Sequence, residues 1–189
     1  MPLPIPGHCE SCRKSIPPYE VMRSWAVFDG PIRQALHQIK YYRNISLADE
    51  LSKRLAEYVV NLNWQVDAVV PVPLGKERKR ERGYNQVGLV AMRLAEVNDW
   101  RYIPQAVVRS RETRSQVGLS IAERKENVSG AFYGKAAIVS KTSILLVDDV
   151  ATTGATLSAC AEALLEAGAR SVYALTIARA LPHQVSNIV

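Results

Sequence analysis

Apolar residues fall along the chain in two kinds of pattern. Short, largely β-branched runs predict buried strands, and apolar positions that repeat every three or four residues predict amphipathic helices. The predicted strands are residues 66–72, 103–108, 143–148 and 171–178. The predicted helices lie in two pieces between residues 25 and 62, and at residues 83–97, 121–127 and 154–167. This order predicts an α/β fold with a parallel, twisted sheet flanked by helices.

The remaining stretches follow neither pattern. Residues 1–24 are rich in Pro and polar groups and are expected to form an irregular N-terminal segment, ahead of one domain over residues 25–189. The highly charged residues 73–82 and the polar residues 109–120 are expected to form loops. A chain of 189 residues, 48% of them apolar, can bury one sizeable core.

Charge and cysteine content narrow the class of protein. The net charge of +6 and the pI of about 9.3 favour anionic partners, either phosphorylated metabolites or nucleic acid, although a solvated basic surface also fits. No apolar run approaches the roughly 20 residues that span a bilayer, and the N-terminus does not resemble a signal peptide. Three cysteines, an odd number, argue against a disulfide framework. We therefore expect a soluble cytoplasmic protein, with homo-oligomerisation left open.

The predicted strand at residues 143–148 leads into the most informative segment of the chain. It ends in two acids, Asp148 and Asp149, which need a cationic or hydroxylated partner if they are buried. Ligands bind at the carboxyl ends of strands in open α/β sheets, and small or hydroxylated residues at a helix start can wrap a phosphate. The candidate phosphate-binding residues are Val150, Ala151, Thr152, Thr153, Gly154, Ala155 and Thr156. Together these residues predict a ribose 5-phosphate site.

A capped helix is the alternative interpretation of the same residues. The two acids would then supply negative charge near the helix N-terminus, and Thr152 or Thr153 would supply the cap. One acid at this position is common, whereas two acids followed by Thr-Thr-Gly are not. The sequence therefore favours the binding site.

The segment Ile144–Thr156, an apolar strand, two acids and a Thr/Gly loop, resembles the binding signature for 5-phosphoribosyl 1-pyrophosphate (PRPP) in type I phosphoribosyltransferases. The resemblance implies the type I phosphoribosyltransferase fold. It implies that Asp148 and Asp149 are catalytic residues that hold the ribose 2′- and 3′-hydroxyls, and that residues 151–156 wrap the 5-phosphate. It also implies Mg²⁺, which bridges the pyrophosphate and the ribose hydroxyls.

Further motifs are similar to those of the ComF subfamily, the competence-associated phosphoribosyltransferase-like proteins. They are Val70–Leu74, Arg82–Gln86, Thr113–Gln116, Gly118–Ser120, Glu123–Arg124, Asn127–Val128 and Gly130–Phe132, with Gly30–Pro31 and Ile39–Tyr41 upstream. These motifs lie within residues 25–180, which the resemblance covers. It implies a role in DNA uptake, with single-stranded DNA and a competence helicase as partners.

Basic residues are candidates for holding the pyrophosphate. In the family, the turn after the first predicted strand does this, and Lys76, Arg78 or Arg82 carries suitable charge. Residues 109–127 fit the family's mobile loop, so Arg111, Arg114 and Arg124 are further candidates. Each could equally be a surface cation. The run at residues 76–82 has more charge than one pyrophosphate needs and leaves room for nucleic acid, but only Tyr84 lies near it, so a base-stacking platform is not evident.

Cys9 and Cys12 are spaced like zinc ligands. Structural zinc needs four ligands, and ComF proteins usually carry two such pairs before the transferase domain, whereas this chain shows one. Residues 1–24 are thus consistent with the remnant of a zinc finger, and bound Zn²⁺ stays an open prediction.

Three functions remain open at this stage. The chain could transfer phosphoribosyl from PRPP to a nitrogen acceptor, or serve DNA uptake without catalysis by binding single-stranded DNA and a helicase. It could also sense PRPP or a nucleotide without chemistry, which would use the same binding residues. The acceptor pocket, if there is one, is expected from residues 20–62 and the C-terminus.

Overall fold

A five-stranded parallel sheet forms the centre of the molecule. The computed structural model describes residues 16–114 and 118–181. The sheet strands are β1 (Val21–Val27), β2 (Ala68–Pro71), β3 (Arg101–Tyr102), β6 (Ser143–Ala151) and β7 (Ser171–Arg179), in the spatial order β1-β7-β6-β2-β3. All four neighbouring pairs are parallel, as the sequence predicted. Strands β4 (Val107–Arg109) and β5 (Phe132–Gly134) form a separate antiparallel pair.

Helices cover both faces of the sheet. They are α1 (Gly30–Tyr42), α2 (Ile45–Val60), α3 (Lys76–Arg82), α4 (Gln86–Val97), α5 (Ile121–Val128), α6 (Ala136–Val139) and α7 (Ala155–Glu166). The side chains of β6 alternate between two core clusters, as successive residues of a strand must. Ile144 and Leu146 pack with α7, whereas Leu145 and Val147 pack with α1, α2 and α4. This central, doubly covered strand carries the two acids at its carboxyl end.

Local signals explain where the helices that border the site begin. The Asp29 carboxylate accepts a hydrogen bond from the Gly30 amide at 2.8 Å, and Pro31 follows where its missing N–H does no harm. Ser120 and Glu123 form a capping box at the start of α5, with each side chain accepting from the other's backbone amide.

Strand β1 is a correction to the sequence analysis. Residues 21–24 were expected in an irregular segment and residues 25–27 in a helix, but together they pair in parallel with β7. Because β1 is an edge strand with one neighbour, it tolerates polar residues that hide the strand pattern. The Ser24 hydroxyl, for example, shares a 2.7 Å hydrogen bond with that of Thr176.

Two further predictions were wrong. The expected strand at residues 103–108 is broken by a turn at Pro104, which cannot donate to a strand ladder, so β3 and β4 belong to different sheets. Residues 76–82, expected as a loop, form helix α3. None of its residues is buried, so no apolar periodicity marked it. The described part of the chain contains no helix long and apolar enough to cross a membrane.

Candidate functional site

A cleft of about 1320 Å³ opens at the carboxyl ends of β2 and β6. One wall is α1 and the residues before it. A second wall consists of α3, the residue Arg109 at the end of β4, and residues 113–114 with α5, and it adjoins the first where Arg82 of α3 lies beside Tyr41 of α1. Asp148, Asp149 and Val150 also line the cleft. The sheet topology thus brings the acids to the edge where the strand order predicts a ligand.

Backbone and side-chain contacts hold the acid pair. Asp148 Oδ1 accepts from the Asp149 amide at 2.9 Å, and Asp149 Oδ1 accepts from the Val150 amide at 2.6 Å. Asp149 Oδ2 lies 2.8 Å from Lys40 Nζ and 3.4 Å from Gln86 Nε2. Both oxygens of Asp149 are therefore engaged before any ligand binds.

The two acids have different charge environments. Burial, and then the charge of Asp149, raises the pKa of Asp148 from 3.8 to about 7. Burial also acts to raise the pKa of Asp149, but the Lys40 ammonium and the hydrogen bonds to Lys40, Gln86 and Val150 outweigh it and lower the pKa. Asp149 is therefore the ionised member of the pair, whereas a bound cation or hydroxyl would stabilise the charged form of Asp148.

The loop after the acids turns tightly into α7. Gly154 has a φ of +81°, and a Cβ placed on it would lie 3.2 Å from the Tyr19 hydroxyl oxygen, so this position suits only glycine. Thr153 Oγ1 accepts from the Ala155 amide at 3.3 Å. A side pocket of about 30 Å³ lies inside the loop, and it is lined by Asp148, Val150, Ala151, Thr152, Gly154, Ala155, Thr156 and Leu157. All the candidate phosphate-binding residues except Thr153 thus line this pocket, and Thr152 and Thr156 also line the main cleft.

Besides Arg33 of α1, five arginines line the cleft: Arg78, Arg82, Arg109, Arg114 and Arg124. Arg124 is 4% exposed and donates to the Leu119 carbonyl at 2.9 Å. Arg109 hydrogen-bonds the Thr113 hydroxyl and stacks 5.8 Å from the Phe132 ring centroid. Its Nε is buried without a partner, and no ion pair within the described ranges involves it. Burial lowers the pKa of Arg109, so an incoming anion would stabilise the charged form of this guanidinium.

Two of the predicted basic residues do not line the cleft. Arg111 donates to the carbonyls of Asn127 at 3.2 Å and Ser129 at 2.9 Å, which ties it to the end of α5. Lys76 is exposed, and its backbone amide donates to Glu112 Oε1 at 2.6 Å. Cys9 and Cys12 lie outside the described residues, so the zinc prediction stays a prediction.

The sequence analysis gave no site role to Lys40, Gln86 or Arg109. Lys40 and Gln86 lie in the motifs Ile39–Tyr41 and Arg82–Gln86, which carried the family resemblance without indicating what these two side chains contact. Gln86 is 4% exposed at the first position of α4. Arg109 ends a strand that the sequence did not place correctly. Pairings between distant elements identify all three residues.

Comparisons with known proteins agree with this architecture. Residues 37–185 match the model of the phosphoribosyl transferase domain. The DNA utilization protein YhgH of Escherichia coli O6:H1 is 32% identical over 178 residues, which cover 92% of this chain and 78% of that protein. Competence protein F of Haemophilus influenzae is 30% identical over 184 residues, covering 92% and 79%. Competence protein ComFC of Streptococcus pneumoniae is 34% identical over 111 residues, covering 58% and 47%.

The domain match spans most of the chain, and two of the competence and DNA-utilization relatives align over nine-tenths of it. These matches confirm the resemblance that the motifs indicated. The chain belongs to the phosphoribosyl transferase domain family and, within it, to the ComF group of type I phosphoribosyltransferase-like proteins.

Proposed function

We propose that the cleft binds PRPP. The observation that carries the proposal is the meeting of three groups in one cleft: the acid pair, the Val150–Thr156 loop and the five arginines. PRPP presents three matching groups, which are ribose hydroxyls, a 5-phosphate and a 1-pyrophosphate. A ligand with only one of these groups would leave most of the cleft unused.

The ribose 5-phosphate half fits the β6–α7 side of the cleft. Asp148 and Asp149 accept hydrogen bonds from the 2′- and 3′-hydroxyls. The 5-phosphate enters the side pocket, where amides at the start of α7 and the hydroxyls of Thr152 and Thr156 donate to it. Because α7 has 12 residues, its N-terminal amides also favour the negative charge of a phosphate.

The pyrophosphate half fits the arginine wall. Guanidinium groups bind phosphate oxygens through paired, charge-assisted hydrogen bonds. Arg109 is the leading candidate, because this partly buried cation has a buried Nε without a partner and no ion pair within the described ranges, which is unfavourable until an anion reaches it. Arg78, Arg114 and Arg124 lie on the same wall and share the charge.

Mg²⁺ fits this proposal as part of the substrate. The described residues include no group of three or more His, Cys, Asp or Glu side chains that could hold a metal. Mg²⁺ commonly keeps its waters and binds through substrate phosphates. It would be held by the oxygens of PRPP, and Asp148 and Asp149 would meet it only through the ribose hydroxyls. Bound there, it supplies positive charge to the departing pyrophosphate.

The same arrangement supports transfer of phosphoribosyl to a nitrogen acceptor. The bond between C1 and the pyrophosphate oxygen breaks, a bond from C1 to the acceptor nitrogen forms, and the proton of the acceptor nitrogen passes to the released pyrophosphate or to solvent. Arginines on one wall stabilise the leaving charge, so no protein nucleophile is required. The α1 wall, with Phe28, Pro31, His37 and Tyr41, leaves space beside the acids for the acceptor.

Calorimetry with PRPP and Mg²⁺ tests the binding proposal, followed by a pyrophosphate-release assay over a panel of bases and amines. We expect binding that Asp148→Asn and Asp149→Asn each weaken at least tenfold. Asp49→Asn is the matched control, since Asp49 is a paired carboxylate on α2 that does not line the cleft. Binding with no pyrophosphate release would remove the transfer step and leave the site. No binding by the wild type would remove both.

A second candidate function is binding of single-stranded nucleic acid, favoured by an aromatic strip at the rim of the cleft. The rings of Tyr41 and Tyr42 lie 4.6 and 5.9 Å from that of His37, and the two tyrosines are 60% and 67% exposed. The Arg82 guanidinium lies 5.4 Å from the centre of the Tyr41 ring. The sequence did not indicate this strip, because α1 and α3 meet only in the fold. Exposed rings beside cations suit stacked bases and a phosphate backbone.

Fluorescence anisotropy with a labelled oligonucleotide tests this function. Affinity should fall with salt, with a log-log slope of about −0.7 per phosphate contacted. Tyr41→Ala and Tyr42→Ala should weaken binding, by about 1 kcal/mol or more for each stacked base lost. Tyr133→Ala is the control, since Tyr133 is 49% exposed on β5 away from the strip. A flat salt response, or equal loss in the control, would exclude the strip.

A further inference from the structure

Among the residues that the structure describes, Lys40 is the cation in direct contact with the acid pair. Its Nζ lies 2.8 Å from Asp149 Oδ2, and only 23% of the lysine side chain and 15% of the aspartate side chain are exposed. A pair so largely removed from water is screened much less by salt than a surface pair. By contrast, Lys53 and Asp49 on α2 form an ion pair of similar length, 3.0 Å, with 58% of the lysine exposed.

The end of α1 is fixed so that Lys40 stays at this position. Leu36 and Ile39, on the same helix, are buried in the core. The Tyr84 hydroxyl donates to the Ile39 carbonyl, and Arg43 donates to the Arg82 carbonyl at 2.9 Å. Ile39 and Arg43, on either side of Lys40, are thus hydrogen-bonded to the last residue of α3 and to the segment that follows it. A lysine held by such contacts differs from a surface lysine that meets an acid by chance.

The contact makes the two acids unequal. Asp149 contacts Lys40 from α1 and Gln86 from α4. Asp148, within the described part of the chain, accepts a hydrogen bond from the Asp149 amide and forms no ion pair. Arg78 of α3 and Lys40 act on Asp148 only through space. One carboxylate is therefore oriented and charged in the free protein, and its neighbour is left available.

We propose that Lys40 is a positioning residue that holds Asp149 as a fixed, ionised acceptor for a ribose hydroxyl. This role rests on the proposed binding of PRPP. Without the Lys40 ammonium, nothing would offset the repulsion between two adjacent carboxylates at a buried strand end. Asp149 would then bind a proton instead of accepting a hydrogen bond from a ribose hydroxyl. The lysine acts through its contact with Asp149 and takes no direct part in the chemical step.

The test compares the pH dependence of PRPP binding in wild type, Lys40→Met and Lys40→Arg. In the wild type, protonation of Asp148 should weaken binding below about pH 7, and a second weakening, from Asp149, should follow only at low pH because the pKa of Asp149 is lowered. In Lys40→Met this second weakening should begin at least about one pH unit higher, since an opposite charge in contact shifts a carboxyl by one to three units. Lys40→Arg should restore the wild-type profile. Lys53→Met is the matched control and should leave the profile unchanged.

Carbon-13 titration of the aspartate carboxyls gives a second readout that needs no ligand. The Asp149 signal, assigned by its loss in Asp149→Asn, should titrate at higher pH in Lys40→Met. If Lys40→Met does not fold, Lys40→Gln takes its place. A folded Lys40 variant with unchanged pH profile and Asp149 titration would overturn the positioning role. Absence of PRPP binding by the wild type would instead refute the proposed function, with the titration still reporting whether Lys40 controls Asp149.

Discussion

Replacing Asp148 by Asn should stabilise the fold at alkaline pH. The pKa of this carboxyl is raised from 3.8 to about 7 by burial and by Asp149. Between these two values the folded protein binds more protons at this group than the unfolded chain does. The contribution of Asp148 to stability therefore falls as pH rises from about 4 to about 7, and above pH 7 it stays unfavourable.

The magnitude follows from the two pKa values. At 1.36 kcal/mol per unit, the difference corresponds to about 4 kcal/mol. The carboxylate lines an open cleft and is partly exposed to solvent, so we halve this figure and expect Asp148→Asn to gain about 2 kcal/mol at pH 8. The gain should be smaller at pH 5, where the folded carboxyl is already largely neutral. Asn can still accept from the Asp149 amide, so the backbone contact survives.

Urea unfolding at pH 5 and pH 8 provides the assay. The midpoint should rise in the variant with an unchanged slope, more at pH 8 than at pH 5. In Asp49→Asn the midpoint should instead fall, and by a similar amount at pH 5 and pH 8. Hydrogen bonds from Arg93 and Lys53 lower the pKa of Asp49, so this carboxyl is ionised at both pH values. An Asp148→Asn variant no more stable than wild type at pH 8, or equally stabilised at both pH values, would refute the electrostatic account.

Three further outcomes follow from particular contacts. Gly134→Ala should lower the free energy of unfolding by about 2 kcal/mol in urea, because its Cβ would lie 2.4 Å from the Ala163 carbonyl oxygen on α7; a change below about 0.5 kcal/mol would contradict the packing described. Arg109→Ala should weaken PRPP binding at least tenfold by calorimetry, whereas Arg111→Ala, bound to two carbonyls outside the cleft, should change it less than twofold; equal losses would contradict this division. Ser120→Ala should destabilise the protein by about 1 kcal/mol in thermal unfolding through loss of the capping box, and an unchanged midpoint would argue against the cap.

The parts of the fold that the sequence predicted are those with strong local patterns. Strand β6 contains the unbroken apolar run Ile144–Val147, α7 has buried residues at helical spacing, and Gly168, with a φ of +91°, follows the end of that helix. Edge strand β1 and exposed helix α3 carry no such pattern, because burial on one side or on none leaves polar residues free to vary.

The same difference between local patterns and tertiary contacts separates the site residues that the sequence predicted from those that it did not. The acids and the loop to Thr156 are contiguous in sequence, so their motif was readable. Lys40 and Asp149 meet only because α1 packs across the carboxyl end of β6. Arg111 and Arg124 looked alike in sequence, yet Arg124 is buried against the cleft and Arg111 binds carbonyls outside it. No local pattern separates such residues, since the difference lies in tertiary contacts.

The central claim is that the carboxyl end of β6 holds a phosphoribosyl group, and a crystal structure of the protein with PRPP and Mg²⁺ tests it most directly. We predict the 5-phosphate within hydrogen-bonding distance of the Thr152–Thr156 loop, the ribose hydroxyls on Asp148 and Asp149, and the pyrophosphate facing Arg109. PRPP bound elsewhere on the protein, or a cleft left empty at saturating PRPP, would contradict the account.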